Sequence, residues 1–239
     1  MTDFHSQKFV VITMARTGSN ALVDALARHP AIHCDFEIFH PDQIFSNGVF
    51  PGPTEVRDDD ITGFLPKVMA WNAERFPEKK VYGFKLFTDH APQVMDQILA
   101  DPSWKKIILR RANTLDQYLS LEIAQQSGAW SSEYERRKRA RIDVDRGAFL
   151  AFHNQVSSRF DEIEDRLEQS GQTYLKLGYS DVAAGNFKLV FDFLGLAAAS
   201  TATPHLSKQN PKRTALKVVR PWSLWWWLMR QGPGRFWVY

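Results

Sequence analysis

The chain has 239 residues, 44% of them hydrophobic, with 30 Lys and Arg set against 27 Asp and Glu. That length suits one large domain or two small ones, enough for a doubly covered sheet, and the near-even charge gives no argument for a nucleic-acid partner, so none is expected. A single cysteine, Cys34, excludes an intramolecular disulfide framework and fits a reducing cytoplasm.

Short β-rich runs alternate with helical ones. Strands are predicted at residues 9–14, 81–86, 106–109 and 173–177, where apolar runs with few polar breaks suit parallel strands buried on both faces. Helices are predicted at residues 20–28, 61–75, 90–100, 114–127, 132–170 and 183–194. This alternation implies βαβ units and an α/β fold with a central parallel sheet flanked by helices. Residues 41–60, with Asn47-Gly48, Pro51-Gly52-Pro53 and three aspartates at their end, read as an irregular loop. No run approaches the ~20 apolar residues of a membrane helix. The opening residues are polar and the apolar run behind them is short, so no secretory leader is expected.

The first strand feeds the first helix through Ala15-Arg16-Thr17-Gly18-Ser19-Asn20. A strand entering a helix through a Gly-containing turn aims free N–H groups and the positive end of the helix dipole at one point. Arg16 adds a fixed charge, so the expected guest is an oxyanion of the phosphate or sulfate class. The turn has no Lys after Gly18 and lacks the Gly-x-x-x-x-Gly-Lys-Ser/Thr of nucleotide-hydrolysing loops, and it lacks the three glycines of a dinucleotide fingerprint. The competing reading is an ordinary connection in which Gly18 relieves a backbone angle and Ser19 or Asn20 caps the helix.

Arg-Thr-Gly-Ser-Asn-Ala-Leu from Arg16, followed by Leu26-Ala27-Arg28-His29-Pro30, resembles the 5′-phosphosulfate loop of sulfotransferases that use 3′-phosphoadenosine-5′-phosphosulfate (PAPS). It is most similar to the bacterial branch acting on trehalose, lipopolysaccharide or nodulation-factor sugars. A second segment, Ile107-Ile108-Leu109-Arg110-Arg111 and then Tyr118-Leu119-Ser120, is similar to the family's 3′-phosphate motif. A third, Leu206-Ser207-Lys208-Gln209-Asn210-Pro211, resembles a Lys-Gln loop placed near the nucleotide. The resemblance implies a P-loop-NTPase-like three-layer sandwich and transfer of a sulfuryl group to a hydroxyl of a carbohydrate or glycolipid. It implies PAPS as co-substrate, 3′-phosphoadenosine-5′-phosphate (PAP) as product, and no metal. The 5′-phosphosulfate is then expected on Arg16, Thr17, Gly18, Ser19 and Asn20, and the 3′-phosphate on Ser120 with Arg111 or Arg110, Arg111 being preferred. Ser120 lies one residue further from the Arg pair than in many sulfotransferases, which leaves the choice between them open.

Sulfuryl transfer to an alcohol needs the hydroxyl proton removed and charge stabilised on the leaving oxygen. His33, Asp35, Glu37 and His40 follow the first helix, and Glu37 sits among Phe36, Ile38 and Phe39. The resemblance puts a Glu at the interval that separates Glu37 from Arg16, so Glu37 is expected as base, with His33 and His40 as alternatives. Arg16 is expected to stabilise charge rather than donate a proton. Lys85, at the end of the second predicted strand, is a weaker candidate for the same edge. The seven histidines are scattered and show no metal-ligand spacing.

Two stretches fit no motif. Residues 133–141 are strongly basic and read as a solvated helix face, with a funnel for anions as the functional alternative. Residues 220–239, set apart from a sulfotransferase domain at 1–219, interleave Trp222, Trp225, Trp226, Trp227, Phe236, Trp237 and Tyr239 with Arg220, Arg230 and Arg235. Such a tail suits a lid, an oligomer contact or a peripheral contact with the membrane surface. The rival functions are a non-catalytic anion- or glycan-binding module and a nucleotide-dependent phosphotransferase.

Overall fold

A computed structural model describes residues 7–48, 50–128, 130, 142–197, 218, 221–232 and 234–236. In chain order the elements are β1 (Gln7–Thr13), α1 (Ser19–Ala27), β2 (Ile32–Asp35), α2 (Glu55–Asp58), α3 (Ile61–Arg75), β3 (Val81–Phe87) and α4 (Pro92–Ala100). They continue as β4 (Trp104–Arg110), α5 (Thr114–Ser127), α6 (Arg146–Gln169), β5 (Tyr174–Gly178), α7 (Tyr179–Ala183), α8 (Lys188–Leu194) and α9 (Pro221–Gln231). The five strands form one parallel sheet in the order β2-β3-β1-β4-β5.

Alternation along the strands divides the core into two layers. Val10, Ile12, Tyr82, Phe84, Leu86 and Ile108 face a cluster completed by Phe64 and Val68 of α3, Val94 and Ile98 of α4, and Val156, Phe160 and Ile163 of α6. Phe9, Val11, Ile107 and Leu109 face the opposite layer, with Leu22 and Leu26 of α1, Val182 of α7 and Val190 and Phe191 of α8. Helices therefore cover both faces, giving the three-layer α/β sandwich that the alternating sequence implied. Each large side chain so buried contributes about 1.5–3 kcal/mol.

Sheet packing is tight where Phe9 lies opposite Gly83: a Cβ at Gly83 would stand 2.1 Å from the Phe9 ring. Gly83→Ala is expected to destabilise the protein by about 1–3 kcal/mol through overpacking, read as a lower thermal midpoint. An unchanged midpoint would mean the ring has room to move.

Several predicted boundaries need correction. Strand β2 was not anticipated, because His33 and Asp35 interrupt the apolar pattern yet lie buried against partners distant in sequence. The long helix expected over 132–170 starts at Arg146, where the Asp145 side chain accepts from the N–H groups of Gly147 and Ala148 and ends any continuation upstream. Residues 131–141, with the basic run, lie outside the described residues. The helix expected over 183–194 is two helices, α7 and α8, separated at Gly185, whose φ is 70°. Helix α4 begins at Pro92 rather than His90. The irregular stretch 41–60 contains the single turn α2 and is tied down by buried Arg57, which donates to the carbonyls of His40, Pro41 and Gln43.

The described part of the tail packs back on the body. Phe236 O accepts from the N–H and hydroxyl of Thr114 at 3.1 and 3.0 Å, and Leu224 is buried with Leu119 and Ile123 of α5.

Candidate functional site

Strand order fixes where a ligand can enter. From β1 the chain passes over β3 to reach β2, while from β3 it crosses to the other side of β1 to form β4. Connections after β1 and β4 thus leave in opposite directions and open a crevice at the carboxyl ends of these strands. Arg16 follows β1 and Arg111 follows β4, so both belong to this edge.

The turn after β1 is held from beneath. Thr13 Oγ1 donates to Leu109 O at 2.9 Å and lies 2.6 Å from Thr17 Oγ1, while Gln117 Nε2 donates to Ala15 O at 2.8 Å. Arg16 adopts φ 66° and Gly18 φ 83°, both left-handed. Gly18 rather than Ser19 or Asn20 is the N-cap of α1, and no side chain caps this helix. Helices α3, α5 and α6, by contrast, have side-chain caps from Asp60, Asn113 and Asp145. Among the described residues no side chain accepts from the first-turn N–H groups of α1, which lie at the carboxyl end of β1.

Two guanidinium groups converge there. Arg16 Nε donates to Ser120 Oγ at 3.0 Å, and Arg16 NH1 donates to Trp130 O at 3.1 Å. Arg111 NH1 donates to Arg16 O at 3.3 Å, its NH2 lies 3.4 Å from Asp116 Oδ2, and its guanidinium stacks 4.4 Å from the Tyr179 ring centroid. Burial first, and then the Arg111 charge, lower the pKa of Arg16. Arg110 is not part of this group. It turns to the α6 face, pairing with Glu164 at 3.0 Å and Asp161 at 3.4 Å over the Phe160 ring. Adjacent strand residues point to opposite faces, and here that alternation separates the two arginines.

Beside this group lies a second one. Lys85, 1% exposed, meets Glu37 Oε1 at 2.6 Å and also donates to Asn20 Oδ1, joining the end of β3 to the segment after β2 and to the start of α1. Burial pushes the Lys85 ammonium below its ordinary pKa, and Glu37 opposes that shift. His90 stands edge-on to His40 at 5.4 Å; burial lowers its pKa, Asp89 and Glu37 oppose the shift, and His40 and Lys85 reinforce it.

His33 and Asp35 belong to a different, buried network. Asp35 Oδ1 accepts from Asn47 N at 2.7 Å and lies 3.2 Å from His33 Nε2. Its Oδ2 accepts from Asn72 Nδ2 at 2.9 Å and from Tyr82 OH at 3.0 Å. Burial and the Asp35 charge push the Tyr82 phenol well above its ordinary pKa, so it stays a donor. The network fastens the loop at Asn47 to the sheet.

The structure thus brings Arg16, Thr17, Gly18, Ser19, Asn20, Arg111 and Ser120 to one edge, places Glu37 and His40 beside them, and sets Arg110 and His33 apart. Lys208 and Gln209 lie outside the described residues. Sequence reasoning passed over His90 and Tyr179. Each follows a parallel strand at its carboxyl end, and that position is the signal that would have found them. Among the described residues no cluster of three or more His, Cys, Asp or Glu is arranged to hold a metal ion.

No protein-family model and no curated protein matches this sequence. Two solved structures are similar over 87% of the chain, each at 16% identity and a TM-score of 0.45. One is the sulfotransferase domain from the Synechococcus PCC 7002 olefin synthase, covered over 80% of its length. The other is a sulfotransferase from Alicyclobacillus acidocaldarius, covered over 86%. The fold stands on the strand order and register described above.

Proposed function

We propose that this chain is a cytoplasmic sulfotransferase that moves the sulfuryl group of PAPS to a hydroxyl of a carbohydrate or glycolipid. The observation that carries this reading is the meeting of Arg16, Arg111 and Ser120 at the uncapped start of α1, in the crevice where strand order reverses. Burial first, and then the like charge of Arg111, disfavour the charged form of Arg16, and an anion between the two guanidinium groups offsets both. The planar guanidinium fork can also hold two oxygens of a tetrahedral phosphate or sulfate at once. The turn lacks the Lys that nucleotide-hydrolysing loops use on β- and γ-phosphates, which disfavours a phosphotransferase.

When bound, PAPS supplies a sulfuryl group already activated as an anhydride with phosphate. In this reading Arg16 and the N–H groups of Thr17, Gly18 and Ser19 hold the 5′ end and neutralise the charge that develops on the departing phosphate. Arg111 and Ser120 hold the 3′-phosphate. Glu37 accepts the proton of the acceptor hydroxyl. Lys85, fixed between Glu37 and Asn20, keeps that carboxylate aimed toward the start of α1. Residues 41–60, anchored by Arg57 and Asn47, line the acceptor side.

Calorimetric titration with PAP, with 5′-AMP and ATP as controls, tests the reading. Micromolar PAP binding that needs the 3′-phosphate but no Mg²⁺ is expected, with Arg111→Ala weakening it by roughly 10–100-fold, the scale of a lost charge-assisted contact. Failure to bind PAP would remove the donor from this site, and Mg²⁺-dependent ATP binding would favour the phosphotransferase.

A further inference from the structure

Helix α9 has two apolar sides, and the other described residues cover only one. Trp227 stacks on Phe236 at 5.6 Å and meets Phe149 edge-on at 6.1 Å, while Leu224 is buried against α5. These contacts fix the rotation of the helix. They leave Trp222, Trp225, Trp226 and Met229 on the outside, at positions i, i+3, i+4 and i+7, with exposures of 75%, 48%, 62% and 49%. Isolated exposed apolar residues are ordinary, but a contiguous stripe with three indoles marks a contact surface.

Charge identifies what that surface meets. After Asp192 the chain holds seven Lys and Arg and no Asp or Glu, whereas the residues up to Asp192 hold 23 Lys and Arg against 27 Asp and Glu. The excess of positive charge is thus confined to the part of the sequence that carries α9. Arg230 lies in the last turn of the helix and Arg235 in the turn beyond it, both exposed. A second copy of this chain would bring an equally cationic segment to the contact, and like charges across an interface oppose association. An anionic lipid surface satisfies both features: indole rings settle at the headgroup level and guanidinium groups meet the phosphates. At 11 residues α9 extends about 16 Å, roughly half of a hydrocarbon core, so it suits lying in the interface rather than crossing it. No helix among the described residues is long and apolar enough to span a membrane.

We propose that α9 docks this protein on an anionic bilayer, seating Trp222, Trp225 and Trp226 among the headgroups with Arg230 and Arg235 on the lipid phosphates. The inference is independent of the reaction assigned above. Binding draws on both apolar burial and charge, so it weakens with salt and on neutral lipid.

The test is sedimentation of the full chain with phosphatidylcholine vesicles prepared with and without phosphatidylglycerol. Binding to the anionic vesicles is expected, weakened by salt. The triple substitution Trp222→Ser, Trp225→Ser, Trp226→Ser should lower it by about tenfold or more, because it removes most of the exposed apolar area. The far-UV dichroism of this variant should be unchanged. Arg230→Gln with Arg235→Gln should weaken binding to anionic vesicles several-fold and leave neutral vesicles unaffected. Tryptophan quenching by brominated lipid reads insertion in the unmodified chain, which covers the case of a variant that misfolds. Absence of sedimentation and quenching would overturn the proposal. So would equal sedimentation of the triple variant and the parent, or a concentration-dependent dimer in light scattering that the triple variant abolishes while vesicles are ignored.

Discussion

If the proposed sulfotransferase reading holds, Glu37→Gln is expected to lower sulfuryl transfer by about 10²–10⁴-fold, the range for loss of a positioned general base, while PAP affinity stays within about twofold of the parent. The amide keeps the shape of Glu37 and an oxygen that can accept from Lys85, so the contact that joins β3 to the segment after β2 survives. What disappears is the capacity to take a proton. An internal control comes with the same variant. Glu37 is the main influence opposing burial at Lys85, so the Lys85 ammonium should titrate at lower pH in the variant than in the parent, as read by NMR of the lysine side chain. Unchanged turnover would move the base to His40, which faces His90 beside the same edge, or to His33, although His33 is engaged with Asp35 in the buried network.

The second large effect belongs to stability. Asp35→Ala should destabilise the protein by about 4 kcal/mol, toward the upper end of single-site effects. Asp35 is fully buried, and its removal leaves the Asn72 amide and the Tyr82 hydroxyl as buried donors facing a cavity and takes the acceptor from the Asn47 N–H of the adjoining loop. For a chain of this size the loss corresponds to a fall of roughly 10 °C in the thermal midpoint. Asp35→Asn, which keeps an acceptor and the volume, should lose clearly less. A midpoint within about 2 °C of the parent for the alanine variant would mean that these donors find other partners.

That network explains what the sequence did and did not disclose. Strand β1 was legible because its apolar run is continuous and both of its faces are buried by helices. Strand β2 was not, since Ile32, His33, Cys34 and Asp35 read as polar chemistry until Tyr82, Asn72 and Asn47 are placed around them. The same shortfall applies to Lys85, which the sequence marks only as a weaker candidate at a strand end. It is buried because Asn20 and Glu37, from two other elements, meet it there. Arg110 and Arg111 stood as alternatives in the sequence, with Arg111 preferred. Glu164 and Asp161 of α6 supply the distinction by holding Arg110. The start of α6 carried its own mark, Asp145 before the periodic run of Phe149, Val156, Phe160 and Ile163, but the charged stretch upstream obscured it. Local patterns thus named most of the elements, the resemblance named most of the residues expected at the edge, and long-range pairing decided where each of them lies.

Arg16 stands in the left-handed backbone region, which for a side chain other than glycine costs about 1–3 kcal/mol. A search for heat-resistant versions of this chain would therefore meet Arg16 early and favour glycine in its place. The stabilised product would keep the curve of the turn and lose the charge that Ser120 and the Trp130 carbonyl hold in position. If Arg16 holds the anion as proposed, robustness and anion capture pull in opposite directions at this one residue. On the proposed reading, a chain with glycine at this position keeps the scaffold and loses the charge that the chemistry needs.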